Sequence, residues 1–267
     1  MGLAEPITYA VRANNLSRAS ENRIHDDSVA QRFGFTGALV PGVEVHAYAC
    51  HPAVARWGRD WLARGTMESR FLKPVYDQAE VLATAELQPD GSLALRVESG
   101  GVLAATATAT LPEQAEAAPP LSDFPWNAPP ASRPPASAEA LVPGRWLGTA
   151  PEPMTPEVLA GYLEGIRETE PLYAAEALVH PGLVLRLCNR ALTQNVVLGP
   201  WIHVGSAARN LGLARVGEAL TARARVVSND DRKGHGIVEL DVLVVAGEGA
   251  RPVARVRHTA IWRVRGS

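Results

Sequence analysis

Leu39-Val40-Pro41-Gly42-Val43-Glu44-Val45-His46-Ala47-Tyr48-Ala49 has a counterpart about 140 residues later in Val179-His180-Pro181-Gly182-Leu183-Val184-Leu185. In both, Pro-Gly opens a run with the length and continuity of a helix. The first run leaves almost no polar face, which predicts a helix wrapped by sheet on most of its sides. Strand patterns follow each helix. After the first come Met67 to Leu72, Glu80 to Leu87, Leu93 to Glu98 and Val102 to Leu111, with Pro89-Asp90-Gly91 and Gly100-Gly101 as turns. After the second come His203 to Ala208, Ala219 to Val227, Gly236 to Ala246 and Val253 to Val264. The chain therefore reads as an α+β protein of two repeated units, each an antiparallel sheet around a central helix. The expected boundaries are 1–111 for the first unit and 144–267 for the second. Between them, 112–143 holds nine of the 21 prolines and no apolar periodicity, so it reads as a linker.

Composition narrows the partners. The 267 residues are 46% hydrophobic and carry 26 basic against 28 acidic side chains, a net charge of -2. That balance offers no basic footprint for nucleic acid. No eighteen-residue apolar run and no leader pattern is present, so a cytoplasmic protein off the membrane is expected. Cys50 and Cys188 lie in apolar helical context and are expected to be buried, reduced thiols. The histidines show no ligand spacing, so neither a metal nor another cofactor is expected.

The densest polar chemistry is Ser20-Glu21-Asn22-Arg23-Ile24-His25-Asp26-Asp27, in a loop leaving the strand predicted at Ile7 to Val11. A short helix is expected from Asp27 to Phe33, capped by Asp26 or Asp27 and stopped by Gly34. A histidine among carboxylates, beside a helix start with free N–H groups, is suited to acid/base work on a carbonyl compound. Glu44 stands in the first turn of the apolar helix, where a buried carboxylate needs a partner, solvent or a proton.

These residues resemble the fingerprint of the MaoC-like (R)-specific enoyl-CoA hydratases and dehydratases of the hotdog superfamily, in their two-hotdog form. The family pattern runs Gly-Asp-x-Asn-Pro-(Ile/Leu)-His-x-Asp. Asn22, Ile24, His25 and Asp27 keep its spacing, and Gly34-Phe35, Pro41-Gly42 and Phe71-Leu72-Lys73-Pro74-Val75 also agree. Two positions depart, because Ser20 stands where the family has its catalytic aspartate and Arg23 where it has proline. In the second unit the matching line ends in Pro171-Leu172-Tyr173, with tyrosine in place of the histidine.

The resemblance implies a double hotdog fold with the N-terminal unit as the working half, acting on an acyl-CoA or carrier-protein thioester. His25 would be one acid/base group and Glu21 or Glu44 the second, exchanging a proton with water and with C2 of an enoyl thioester. Ser20, Asn22 and Arg23 would meet the ligand, and the Gly42 N–H would steady the thioester oxygen. Three other readings stay open: thioester hydrolysis through Glu44, a non-catalytic acyl-binding subunit, and a cyclising conjugate addition. Exposed sheet edges are compatible with a homodimer.

Overall fold

A computed structural model describes residues 5–265. Strand β1 (Ile7–Arg12) leads through a 3-10 turn, Arg23–His25, into α1 (Asp27–Arg32) and the long helix α2 (Gly42–Arg64). Four strands complete the first unit: β2 (Thr66–Phe71), β3 (Glu80–Leu87), β4 (Leu93–Ser99) and β5 (Val102–Thr110). The second unit holds β6 (Trp146–Gly148), β7 (Glu152–Pro153), α3 (Pro156–Ile166), α4 (Leu172–Ala175) and α5 (Pro181–Thr193). It closes with β8 (Ile202–Asn210), β9 (Ala219–Arg232), β10 (His235–Ala246) and β11 (Arg251–Arg263).

The strands form one sheet ordered β1-β3-β4-β5-β2-β8-β11-β10-β9-β6, with β7 beside β9. That order is a palindrome about the β2–β8 seam, since β3, β4 and β5 answer to β9, β10 and β11. The repeat in the sequence is thus a repeat in space. At the seam Ser69 faces Ser206. Buried imidazoles gather there: His46 shares a 2.9 Å hydrogen bond with the Ser69 hydroxyl, and the Ser206 hydroxyl lies between His203 (2.8 Å) and His258 (3.0 Å). Burial pushes His46 and His258 down to about 3, so this seam is neutral at ordinary pH.

The expected wrapped helix is present, with every residue from Val43 to Cys50 buried. The sheet and α5 both pack on α2. It bends at Gly58, whose φ of 56° breaks the helical path. Cys50 and Cys188 are both free and buried.

The proline-rich segment is not a free tether. Phe124 packs on Leu243 and Val245, Leu141 enters the main core, and the Ala136 and Val197 backbones pair. That cover explains β10, where Asp241 to Ala246 is buried on both faces instead of alternating.

Candidate active site

Loop 20–27 is built by local caps. Asp26 caps α1, its Oδ1 accepting the N–H groups of Ser28 (3.1 Å) and Val29 (3.2 Å). Asp27 does a different job, accepting the Ala38 N–H at 2.7 Å and so tying α1 to the segment that leads into α2. Gly34, with φ of 84°, ends α1 as expected.

Asn22 is the hub of the loop. Its Nδ2 donates to the Trp201 carbonyl (2.9 Å), and its Oδ1 accepts the N–H groups of Trp201 (3.3 Å) and Ile24 (3.4 Å). Trp201 belongs to the connection between α5 and β8, so one amide clamps the loop to the second unit. The same Nδ2 lies 3.3 Å from Nε2 of His25.

His25 is 8% exposed, and its Nδ1 is 2.7 Å from the Leu39 carbonyl. A carbonyl oxygen only accepts, so Nδ1 carries the proton and Nε2 presents its lone pair. Burial holds the imidazole below its ordinary 6.5, although the Leu39 contact acts in the opposite direction. At neutral pH the ring is therefore a neutral base.

His25, Ser20 and Asn22 line an open cavity of about 490 Å³ that Val43, Arg186 and Trp201 close from the other sides. It lies between the two units. Asn189 of α5 also lines it, and among the described residues its Oδ1 has no donor.

The expected carboxylates are committed elsewhere. Glu21, whose side chain is 73% exposed, accepts from both terminal nitrogens of Arg133 at 2.8 and 3.1 Å. Glu44 is fully buried, and its Oε1 accepts Nε of Arg186 at 2.7 Å and also Nη2. Burial acts to raise the Glu44 carboxyl, and Arg186 acts to lower it. Among the described residues the hydrogen-bonding partners of the His25 ring are Leu39 and Asn22, and no carboxylate is among them. Arg23 extends into solvent, 3.8 Å from Asp26.

Gly42 lies in the wall of a separate, largely apolar pocket of about 300 Å³. A Cβ there would fall 2.9 Å from His203 Nδ1, so this helix start needs glycine for packing. Ser20, at the family's aspartate position, has its hydroxyl 3.4 Å from the Asn22 carbonyl and lines the His25 cavity.

In the second unit the corresponding place is filled. Tyr173 is fully buried against His180, with ring centroids 4.6 Å apart, and Glu168 meets His51 at 2.5 Å. The residues that sequence reasoning did not single out are Arg186, Asn189, Trp201 and Arg133. Of these, Arg186 left the clearest trace, as a cation in the apolar first turns of α5, much as Glu44 is an anion in the apolar first turn of α2.

No family model and no curated protein sequence matches the chain. Solved structures do. The chain aligns over its whole length with 97% of a protein described as a MaoC-domain dehydratase from Chloroflexus aurantiacus, at a TM-score of 0.68 and 12% identity. A Mycobacterium tuberculosis protein described as having a double hotdog fold aligns over 98% of this chain and 96% of its own, with a TM-score of 0.65 and 16% identity. This is a double hotdog fold. A structure described as a MaoC-like dehydratase also aligns, over 94% of this chain and 96% of its own, at a TM-score of 0.61 and 13% identity. Identities this low speak for the double hotdog architecture alone. No helix among the described residues is long and apolar enough to cross a membrane.

Proposed function

We propose that the chain is a hydratase/dehydratase-type lyase acting on 2-enoyl or 3-hydroxyacyl thioesters, carried by CoA or a carrier protein. The N-terminal unit, 1–111, supplies the base, and the second unit, 144–267, supplies the opposite wall. The observation that carries this reading is the His25 ring in a cavity shared by both units, held by Leu39 so that the unprotonated nitrogen is Nε2, whose lone pair meets the Asn22 amide at 3.3 Å and acts as the base.

With no carboxylate on the ring, His25 works as a single shuttle. In dehydration Nε2 takes the C2 proton, the C3–O bond breaks as the C2=C3 bond forms, and the imidazolium returns the proton to the departing hydroxide, releasing water. Hydration is the reverse, with water adding its oxygen to C3 and a proton to C2 on one face. The burial that keeps His25 neutral makes it a competent base near pH 7. Gly42 faces the separate pocket, but Val43 lines the His25 cavity, and its N–H, in the first turn of α2 and without an intrahelical acceptor, is suited to the developing enolate oxygen.

Hydrolysis through Glu44 is disfavoured, because that carboxylate is sealed from solvent and held by Arg186. An assay that follows both loss of conjugation and release of free thiol from a crotonyl thioester separates the reactions. The expected result is hydration without thiol; thiol release matching substrate loss would make the protein a thioesterase, and binding without turnover would make it an acyl-binding subunit.

A further inference from the structure

The mechanism above leaves the Glu44–Arg186 pair unexplained. Burying a carboxylate and a guanidinium is expensive, and a well-packed apolar pair in their place is often as stable or more so. Structure alone therefore does not account for an ion pair joining the first turn of α2 to α5. Its geometry does suggest a use. Glu44 takes Nε and Nη2 of Arg186, while the Tyr162 ring lies under the guanidinium with its centroid 4.8 Å from Cζ. Two nitrogens and one face are thereby fixed. Nη1 has no acceptor among the described residues, and the side chain, 26% exposed, lines the cavity that His25 lines.

A guanidinium so held is already organised to receive an anion, because little rotamer entropy remains to be lost on binding. The other two arginines on the cavity wall are engaged by more accessible carboxylates, Arg133 by Glu21 and Arg190 by Glu152. Only Arg186 has its carboxylate partner fully buried.

We propose that Arg186 is the specificity-determining residue of the His25 cavity and that it receives a carboxylate carried on the acyl part of the substrate. The preferred ligand is then an enoyl or 3-hydroxyacyl thioester of a dicarboxylic acid, with the free carboxylate on Arg186 and the C2–C3 bond at His25. A phosphate of the thiol carrier is the other anion a guanidinium accepts, so the test uses thioesters without phosphate. This inference rests on the proposed lyase reaction, and the test separates the two.

The experiment compares kcat/KM for hydration of the N-acetylcysteamine thioesters of crotonic acid and of fumaric acid (the half-thioester, with its free carboxylate). The proteins are the native chain, Arg186→Lys and the paired change Glu44→Gln with Arg186→Gln, which removes both charges together so that neither is left buried alone. Native protein is expected to favour the carboxylate substrate by at least about tenfold, in line with a desolvated charge pair. Arg186→Lys should keep part of that preference, and the paired variant should lose it. Hydration of both substrates with no preference, or a preference that survives in the paired variant, overturns the assignment of Arg186 and leaves the lyase reading intact. Binding of the fumaryl thioester that requires Arg186, without hydration of either compound, upholds Arg186 and overturns the lyase reading.

Discussion

Replacing His25 by alanine is expected to lower hydration of a crotonyl thioester by about 10²–10⁴-fold, the range of general acid/base contributions, while the fold persists. The fold should persist because His25 belongs to a loop outside the main core. Its backbone contacts, from its N–H to the Asn22 carbonyl and from its own carbonyl to Asn15, do not need the ring. Glutamine at the same place is the sharper variant. It can keep a hydrogen bond to Leu39 but has no basic nitrogen, so it should be as inactive as alanine if proton transfer is the role. A glutamine variant with native turnover would show that position 25 only shapes the cavity. Circular dichroism and a thermal midpoint within a few degrees of the native protein would show that lost turnover is not lost structure.

The largest stability effect is expected at the other end of the site. Arg186→Met leaves Glu44 fully buried without its cation, a change that costs about 3–5 kcal/mol. For a chain of this size that is a fall of roughly 10 °C in Tm. The penalty should depend on pH in a definite direction. Without Arg186 nothing opposes the burial that raises the Glu44 carboxyl, so the folded variant holds a proton that the unfolded chain, near 4.5, releases. Stability of the variant relative to native is then best at or below about that value and is lost as pH rises through the elevated folded-state value. Glu44→Gln in the same chain should recover most of the loss. A variant as stable as native at pH 8, by thermal unfolding, would contradict the pairing.

These two sites differ in how far they could be read from the chain. His25, Asn22 and the α1 cap lie within a few residues of each other, where spacing and capping rules apply, and the paired Pro-Gly helix starts announced the two repeated units, though not the joining of their strands into one sheet. What Glu21 and Glu44 bind was hidden because their partners are 112 and 142 residues away. No local pattern reports that Arg133 would cross from the proline-rich segment or that α5 would lay Arg186 against α2. The proline-rich segment between the units lacks periodicity because it makes little regular structure, and the packing of its Phe124 and Leu141 was not legible for the same reason. Asp27 is a further instance, since it fits a cap by position but is drawn to the Ala38 N–H once the loop closes.

The departure at Ser20 takes on a specific meaning in this geometry. Ser20 stands where the pattern this loop resembles has an aspartate, and neither Glu21 nor Glu44 hydrogen-bonds the imidazole in its place. The consequence is a site with one titrating group, which a pH profile can read. The most direct measurement is kcat/KM for hydration of a crotonyl thioester from pH 5 to 9. A plateau at neutral and alkaline pH is expected, with a single decline below 6.5 as the buried His25 finally takes up its proton. A bell-shaped profile that becomes a single step on Glu21→Gln would contradict it, by showing that a carboxylate acts after all.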